Sequence, residues 1–240
     1  MRILLLNPNA SPSITDLVAR EAAKLARPGT ELVPVTGAFG GRYIASRATF
    51  AVAGHAALDA WARHADRVDG VLLACFGDPG LAAIKELSPV PVVGLVEASL
   101  AATVGRRFSI VTGGALWEAM LRESVTLAGA ADALASIRTV APTGADIARD
   151  PEGSLDLLAR ACAACATEDG AETVILGGAG LAGLAPRLRP RVPVPLIDGL
   201  EAGMAAIQDA LVRPRPSAAG APGIDSVGLS PALAARLAAR

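Results

Sequence analysis

The stretch Val71-Leu72-Leu73-Ala74-Cys75-Phe76-Gly77-Asp78-Pro79-Gly80 decides how this chain folds. Val71, Leu72 and Leu73 form a short apolar run without alternation, the pattern of a strand buried on both faces. Gly77, Asp78, Pro79 and Gly80 then break the chain, and a helix is predicted over Leu81 to Leu87. In an open α/β sheet, ligands collect at the carboxyl ends of the strands. Cys75 therefore sits where chemistry takes place, and a thiol facing a helix N-terminus has its thiolate stabilised by unpaired N–H groups. The alternative role is a small buried hydrophobe, the commoner fate of an isolated cysteine.

The same grammar extends outward in both directions. Upstream, Arg2 to Asn7 reads as a strand closed by Asn7-Pro8-Asn9. Ser11 or Ser13 then caps a helix whose Ile14, Leu17, Val18 and Leu25 share one face. Thr30 to Val35 is a second strand, Gly37 to Arg47 a glycine-rich polar loop suited to move over a site, and Ala48 to Ala65 a long helix. His55 and His64 lie within that helix with no acid at a useful spacing. Downstream, strands are predicted at Val92 to Val96, Phe108 to Thr112, Ile137 to Val140, Thr173 to Gly177 and Val194 to Ile197. Helices are predicted to open near Glu97 and to cover Leu116 to Ala128, Asp156 to Ala166 and Leu200 to Val212. The tail RPRPSAAGAPG reads as a linker, followed by a short helix capped by Ser230 and opened by Pro231. This βα alternation implies a largely parallel sheet.

Composition removes several function classes. With 240 residues, 52% of them hydrophobic and 3% aromatic, the chain has ample core, built mainly from Ala, Val, Leu and Ile. A net charge of -1 lacks the clustered Lys and Arg that nucleic-acid binding requires. MRILLLNPN turns polar too early for a signal peptide, and no later apolar run approaches the roughly 20 residues that span a bilayer, so a cytoplasmic protein without membrane partners is expected. Cys162 and Cys165 form a CxxC inside an Ala-rich helical stretch, where core is the expected role rather than metal or redox chemistry.

The chain also repeats itself. Val71 to Gly77 aligns with Val174 to Gly180, about 103 residues on, and Val90-Pro91-Val92 aligns with Val192-Pro193-Val194. Glu97-Ala98 and Glu201-Ala202 follow each in turn, and ILLLNPN matches FSIVTGG as an apolar strand ending in a polar turn. Two βα lobes related by a pseudo-twofold axis are expected, each with a mainly parallel four-stranded sheet and with the active site in the cleft between them. Residues 1–100 and 200–212 form the first lobe, 101–199 the second, and 213–240 the linker and terminal helix. The Cys75 turn then faces the Gly178 turn across a ligand.

NPNAS, ACFGDPGL, Glu97-Ala98, VTGG, LGGAGLAG and VPLIDG occur in the order seen in the aspartate/glutamate/hydantoin racemase superfamily, and ACFGDPGL most resembles hydantoin and allantoin racemases. The resemblance runs from Arg2 to about Val212. It implies a racemase or epimerase without cofactor or metal, commonly a homo-oligomer, in which two facing cysteines exchange the proton of a small carbon acid such as a hydantoin, allantoin or amino acid. Cys75 matches one of them. The other falls within LGCAG, where this chain has Leu176-Gly177-Gly178-Ala179-Gly180, so Gly178 stands in place of the second thiol and widens that side of the cleft. Substrate contacts are expected from Asn9 and Thr112 by resemblance. The backbone N–H groups of Phe76, Gly77, Ala179 and Gly180 are expected to hold the charge that develops on carbonyl oxygens.

Gly178 keeps other activities open: a one-thiol decarboxylase or isomerase, which arylmalonate decarboxylases resemble, or a binding homologue without turnover. A dinucleotide site is the competitor from a different class. Gly178-Ala179-Gly180-Leu181-Ala182-Gly183 fits GxGxxG after a strand, and Asp198 follows about 20 residues on, yet Pro186 and Pro190 shorten the helix that would hold a pyrophosphate.

Overall fold

The computed structural model describes residues 1–213 and 223–238, so most of the tail read as a linker lies outside the described residues. Strands β1 (Arg2–Asn7), β2 (Glu31–Thr36), β3 (Gly70–Leu73) and β4 (Val92–Gly94) make one sheet in the order β2-β1-β3-β4. Strands β5 (Phe108–Gly113), β6 (Leu134–Val140), β7 (Thr173–Leu176) and β8 (Leu196–Asp198) make a second in the order β6-β5-β7-β8. Every pairing is parallel, and the two sheets have the same topology, as a duplicated unit requires.

The strands lack alternation because both of their faces are covered. Ile3, Leu5 and Leu72 point to a core shared with Ile110 and Ile175 of the other sheet. Leu4, Leu6, Val71 and Leu73 point instead to an outer core beneath α2 (Arg47–His64), and Val111, Val174 and Leu176 to the matching outer core beneath α7 (Pro151–Thr167). Alternate residues of one strand thus serve two layers.

Helix α1 (Pro12–Leu25) follows β1, with Ser11 at its N-cap and Pro12 in its first turn. Helices α3 (Leu81–Leu87) and α4 (Leu95–Ala102) follow β3 and β4, and α5 (Trp117–Leu127) follows β5. Helix α6 (Gly144–Arg149) was not expected from sequence; Thr143 and Asp146 close a capping box that starts it. Asp150 accepts from the Gly153 N–H and so opens α7 five residues ahead of the predicted start. Helix α8 (Ala185–Leu188) is one turn long, and α9 (Gly199–Leu211) returns to the first sheet, packing on α4, α1 and β3.

Helix α10 (Pro231–Ala238) is capped by Ser230, whose Oγ accepts from the Leu233 N–H. It lies on α2, with the Arg236 guanidinium 5.7 Å from the centre of the Trp61 ring. Among the described residues, no helix is long and apolar enough to cross a membrane.

Two boundaries depart from the sequence expectation for one reason, which is where the local backbone N–H groups find acceptors. Strand β4 stops at Gly94 rather than Val96 because the Val96 and Glu97 N–H groups donate to the Asp78 carboxylate, at 3.1 and 3.0 Å. Strand β8 starts at Leu196 rather than Val194, because Pro193 and Pro195 have no N–H to give a ladder.

Candidate active site

The carboxyl ends of β1, β3, β5 and β7 converge on a cavity of about 50 Å³ between the two sheets. Asn9, Cys75 and Phe76 wall it from the first sheet, and Thr112, Gly178, Ala179 and Gly180 from the second. Seven of the eight residues singled out in the sequence thus meet around one space. Gly77 is the exception. It borders a neighbouring hollow, and a side chain there would strike Trp117 and Phe50. Its expected contact is corrected accordingly, because the turn swings away from the cavity one residue after Phe76.

Hydrogen bonds fix which atoms face inward. The Asn7 amide nitrogen donates to Asn9 Oδ1 at 2.9 Å, and the Ser11 N–H donates to the same oxygen at 3.0 Å. Asn9 Oδ1 is therefore an acceptor already in use, which orients its NH2 group. Among the described residues nothing accepts from Asn9 Nδ2, from the Thr112 hydroxyl, or from the N–H groups of Phe76, Ala179 and Gly180. Five donors on the wall are left for a guest.

Cys75 is buried, with 6% of its surface exposed. Burial pushes its thiol up and the nearby Asp78 carboxylate pushes it further, so it rests protonated. The sequence expectation of a thiolate held by a helix N-terminus is corrected here. Helix α3 opens only at Leu81, and the N-terminus that is close by, that of α4, is taken by Asp78.

The two lobes supply that capping carboxylate differently. In the first, it comes from Asp78 on the turn after β3, and Gly94 at the N-cap leaves room for it, since a Cβ there would overlap the carboxyl group. In the second, the N-cap residue itself provides it: Asp198 Oδ1 accepts from the Leu200 and Glu201 N–H groups at 2.8 and 3.0 Å. Leu181 occupies the position matching Asp78. Burial pushes Asp78 up to about 7 and Asp198 to about 6. Outside each cap, Lys85 pairs with Glu97 and Arg189 with Glu201 in matching ion pairs.

Phe76 joins the lobes. Its ring lies against Gly177 and Gly199 of the second, where a Cβ on Gly177 would run into the ring and one on Gly199 would meet it at 3.1 Å. Gly178 is held at φ +140, and a Cβ there would lie 3.0 Å from Leu181 Cδ1 and 3.5 Å from Thr112 Oγ1. A side chain at this position is strained as the backbone stands.

Several wall residues escaped the sequence reading. Arg42, Tyr43 and Ile44 come from the loop after β2, Trp117 from α5, and Gly144 and Ala145 from α6. The first half of the loop expected to move is tied down, by Gly37 N–H to Asn7 O and Ala10 N–H to Gly41 O. Just past the second tie Tyr43 crosses to the second lobe, donating to Gly113 O at 3.3 Å and accepting from Trp117 Nε1 at 3.1 Å. One signal was available, since Tyr43 is the only tyrosine in the chain.

Cys162 and Cys165 lie fully buried in the outer core of the second lobe, where burial pushes Cys162 up to about 12. The GxGxxG stretch forms a tight turn, with Gly180 packed on the Gly144 backbone and Asp198 engaged as a helix cap. Neither feature is arranged for a dinucleotide.

Comparison with known proteins agrees with this architecture. The family model described as Asp/Glu/Hydantoin racemase matches residues 3–207. A hydantoin racemase of Paenarthrobacter aurescens is 37% identical over 207 residues, covering 84% of this chain and 87% of its own. Another, from Pseudomonas sp. strain NS671, is 34% identical over 207 residues, covering 85% and 83%. The crystal structure of an allantoin racemase from Pseudomonas fluorescens superposes with a TM-score of 0.83 at 29% identity, covering 90% of this chain and 98% of that one.

Proposed function

The chain belongs to the Asp/Glu/hydantoin racemase family and is an isomerase of the racemase type, and on that premise we propose that it inverts a carbon next to a carbonyl, in a hydantoin, allantoin or related amino-acid substrate, with Cys75 carrying the proton on one face. The observation that carries the proposal is the wall of the cavity. One buried thiol looks into a space lined by the unpartnered donors of Asn9, Thr112, Phe76, Ala179 and Gly180.

Removing a proton beside a carbonyl moves charge onto its oxygen. Donors already aimed at that oxygen lower the barrier without reorganising, and the loss of one typically costs about 3 kcal/mol. Cys75 rests as a thiol and is therefore the acid of the exchange; it becomes the base for the opposite enantiomer once it has lost its proton. No cofactor enters this scheme. The substrate is held by hydrogen bonds, and the two lobes that hold it meet through Phe76.

Gly178 favours a second reading. With no side chain at Gly178, a one-thiol decarboxylation or isomerisation through the same enediolate is the alternative. Incubation in deuterium oxide with each enantiomer of 5-benzylhydantoin and of allantoin, and with phenylmalonate, separates the two. Deuterium uptake with inversion supports the racemase. Release of carbon dioxide from phenylmalonate without hydantoin racemisation supports the alternative, and hydantoin racemisation undiminished in Cys75→Ala removes the thiol from both. Assembly as a homo-oligomer belongs to the same proposal, supported by the exposed Leu116 and Leu127 at the two ends of α5, and sedimentation velocity tests it.

A further inference from the structure

Inversion needs a proton carrier on each face of the carbon, and Gly178 offers none. We propose that the phenol of Tyr43 is the second carrier, delivering a proton from the β5 side of the cavity to the carbon that Cys75 deprotonates from the β3 side. The inference rests on the assignment of Cys75 made above.

The position of the hydroxyl carries it. Tyr43 belongs to a first-lobe loop, but its oxygen lies over the end of β5, donating to Gly113 O and accepting from Trp117 Nε1. Gly114 leaves the room it occupies, since a Cβ there would lie 2.5 Å from the phenol oxygen. The neighbouring Thr112 places its hydroxyl 3.5 Å from where a Gly178 Cβ would be. Tyr43 thus brings its hydroxyl to second-lobe groups of the same cavity wall to which Gly178 contributes no side chain.

Chemistry narrows the choice further. Three wall residues can titrate: Arg42, Tyr43 and Cys75. A guanidinium keeps its proton in proteins, and the Thr112 hydroxyl holds its own too tightly. That leaves the phenol and the thiol, whose ordinary pKa values are about 10 and about 8.5 and which burial pushes up in both cases.

The hydrogen bonds around Tyr43 suit the task. The bond to Gly113 O is long at 3.3 Å, and the Trp117 N–H donates into the oxygen on which charge develops, offsetting part of the rise that burial imposes on the phenol. Arg42, the preceding residue, is the one cation of the wall.

The exchange balances. The resting Cys75 thiol first gives its proton to water; as the C–H bond then breaks, the substrate proton forms S–H on the resulting thiolate and the electron pair moves to the carbonyl oxygen. The enolate then takes the proton of the Tyr43 O–H on the opposite face, leaving a phenolate. Water returns a proton to the phenolate, and the thiol is again at rest. For the other enantiomer the same steps run in reverse, with phenolate as base and thiol as acid.

The test uses the full chain with Tyr43→Phe and Cys75→Ser, each enantiomer of 5-benzylhydantoin, deuterium oxide, NMR for exchange and chiral chromatography for inversion. Tyr43→Phe is expected to lose racemisation by about 100-fold or more, the usual contribution of a general acid. It is also expected to keep deuterium exchange with retained configuration for the enantiomer whose hydrogen faces Cys75. Cys75→Ser is expected to lose both.

Racemisation by Tyr43→Phe within about threefold of wild type, beside a dead Cys75→Ser, overturns the Tyr43 inference and leaves the Cys75 assignment standing. Equal losses of exchange and racemisation in Tyr43→Phe make its role structural and also overturn it. Full activity in Cys75→Ser overturns the Cys75 assignment instead. Should Tyr43→Phe fold poorly, Trp117→Phe removes the N–H that supports the phenolate and is read by the same ratio of racemisation to exchange.

Discussion

Exchanging the source of the α4 cap from one lobe's arrangement to the other's tests the duplication at atomic detail. Asp78→Gly removes the carboxylate that accepts from Val96 and Glu97, leaving two N–H groups without their acceptor. Glycine is the right replacement because Asp78 sits at φ 56, where other side chains are strained. Lost caps cost about 1 kcal/mol each and unsatisfied buried donors about 1–3 kcal/mol, so a loss of about 2–4 kcal/mol is expected.

Gly94→Asp alone drives a second carboxyl group into the space already filled by Asp78 and is expected to cost about 3 kcal/mol or more. The double variant reproduces the second lobe, where the N-cap Asp198 serves α9 directly. It is expected to recover to within about 2 kcal/mol of wild type, a favourable coupling of roughly 3 kcal/mol or more. Urea denaturation of the wild type, both singles and the double measures that coupling. Simple additivity of the two losses would refute the claim that one carboxylate position has two interchangeable sources.

Four further outcomes follow from the geometry. Asp78 is pushed up to about 7 from an ordinary value near 4, so the folded state holds its proton where the unfolded chain has lost it. Its contribution to stability therefore falls as pH rises from about 4 to about 7, and urea midpoints across that window should show Asp78→Asn gaining on wild type with rising pH, by a few kcal/mol in all. Gly178→Cys is expected to raise racemisation in a chiral assay while lowering the melting temperature by several degrees, since strain of about 1–3 kcal/mol accompanies φ +140 and the Leu181 contact. Phe76→Ala should cost about 3–5 kcal/mol in urea denaturation by emptying the seat over Gly177 and Gly199. Thr112→Val, which keeps shape and removes the donor, should lower kcat/KM by roughly 100-fold with an unchanged melting temperature.

The architecture was legible because buried parallel strands have a plain signature. Val71 to Leu73 and Val174 to Leu176 are apolar without alternation, and helices between them leave few topologies open. The duplication then aligned Cys75 with Gly178, and both line one cavity. What could not be read depends on distant partners. Asp78 ends β4 from a turn some 18 positions earlier, and it takes the helix N-terminus that local reasoning had assigned to Cys75. Tyr43 and Trp117 meet from opposite lobes, and no spacing in the chain encodes that encounter.

Helix α9 also bears on how the molecule is made. Its Gln208 side chain donates to Leu25 O and accepts from the Arg27 N–H, and Ile207 and Met204 fill the shared core beside Leu5 and Leu72. During synthesis, the earliest lobe to leave the ribosome therefore lacks one wall of its own until nearly the whole chain has emerged. Its sibling, though translated later, has all four of its own strands by Asp198, before α9 begins. In nascent chains halted before Gly199, the first lobe should be prey for chaperones and proteases.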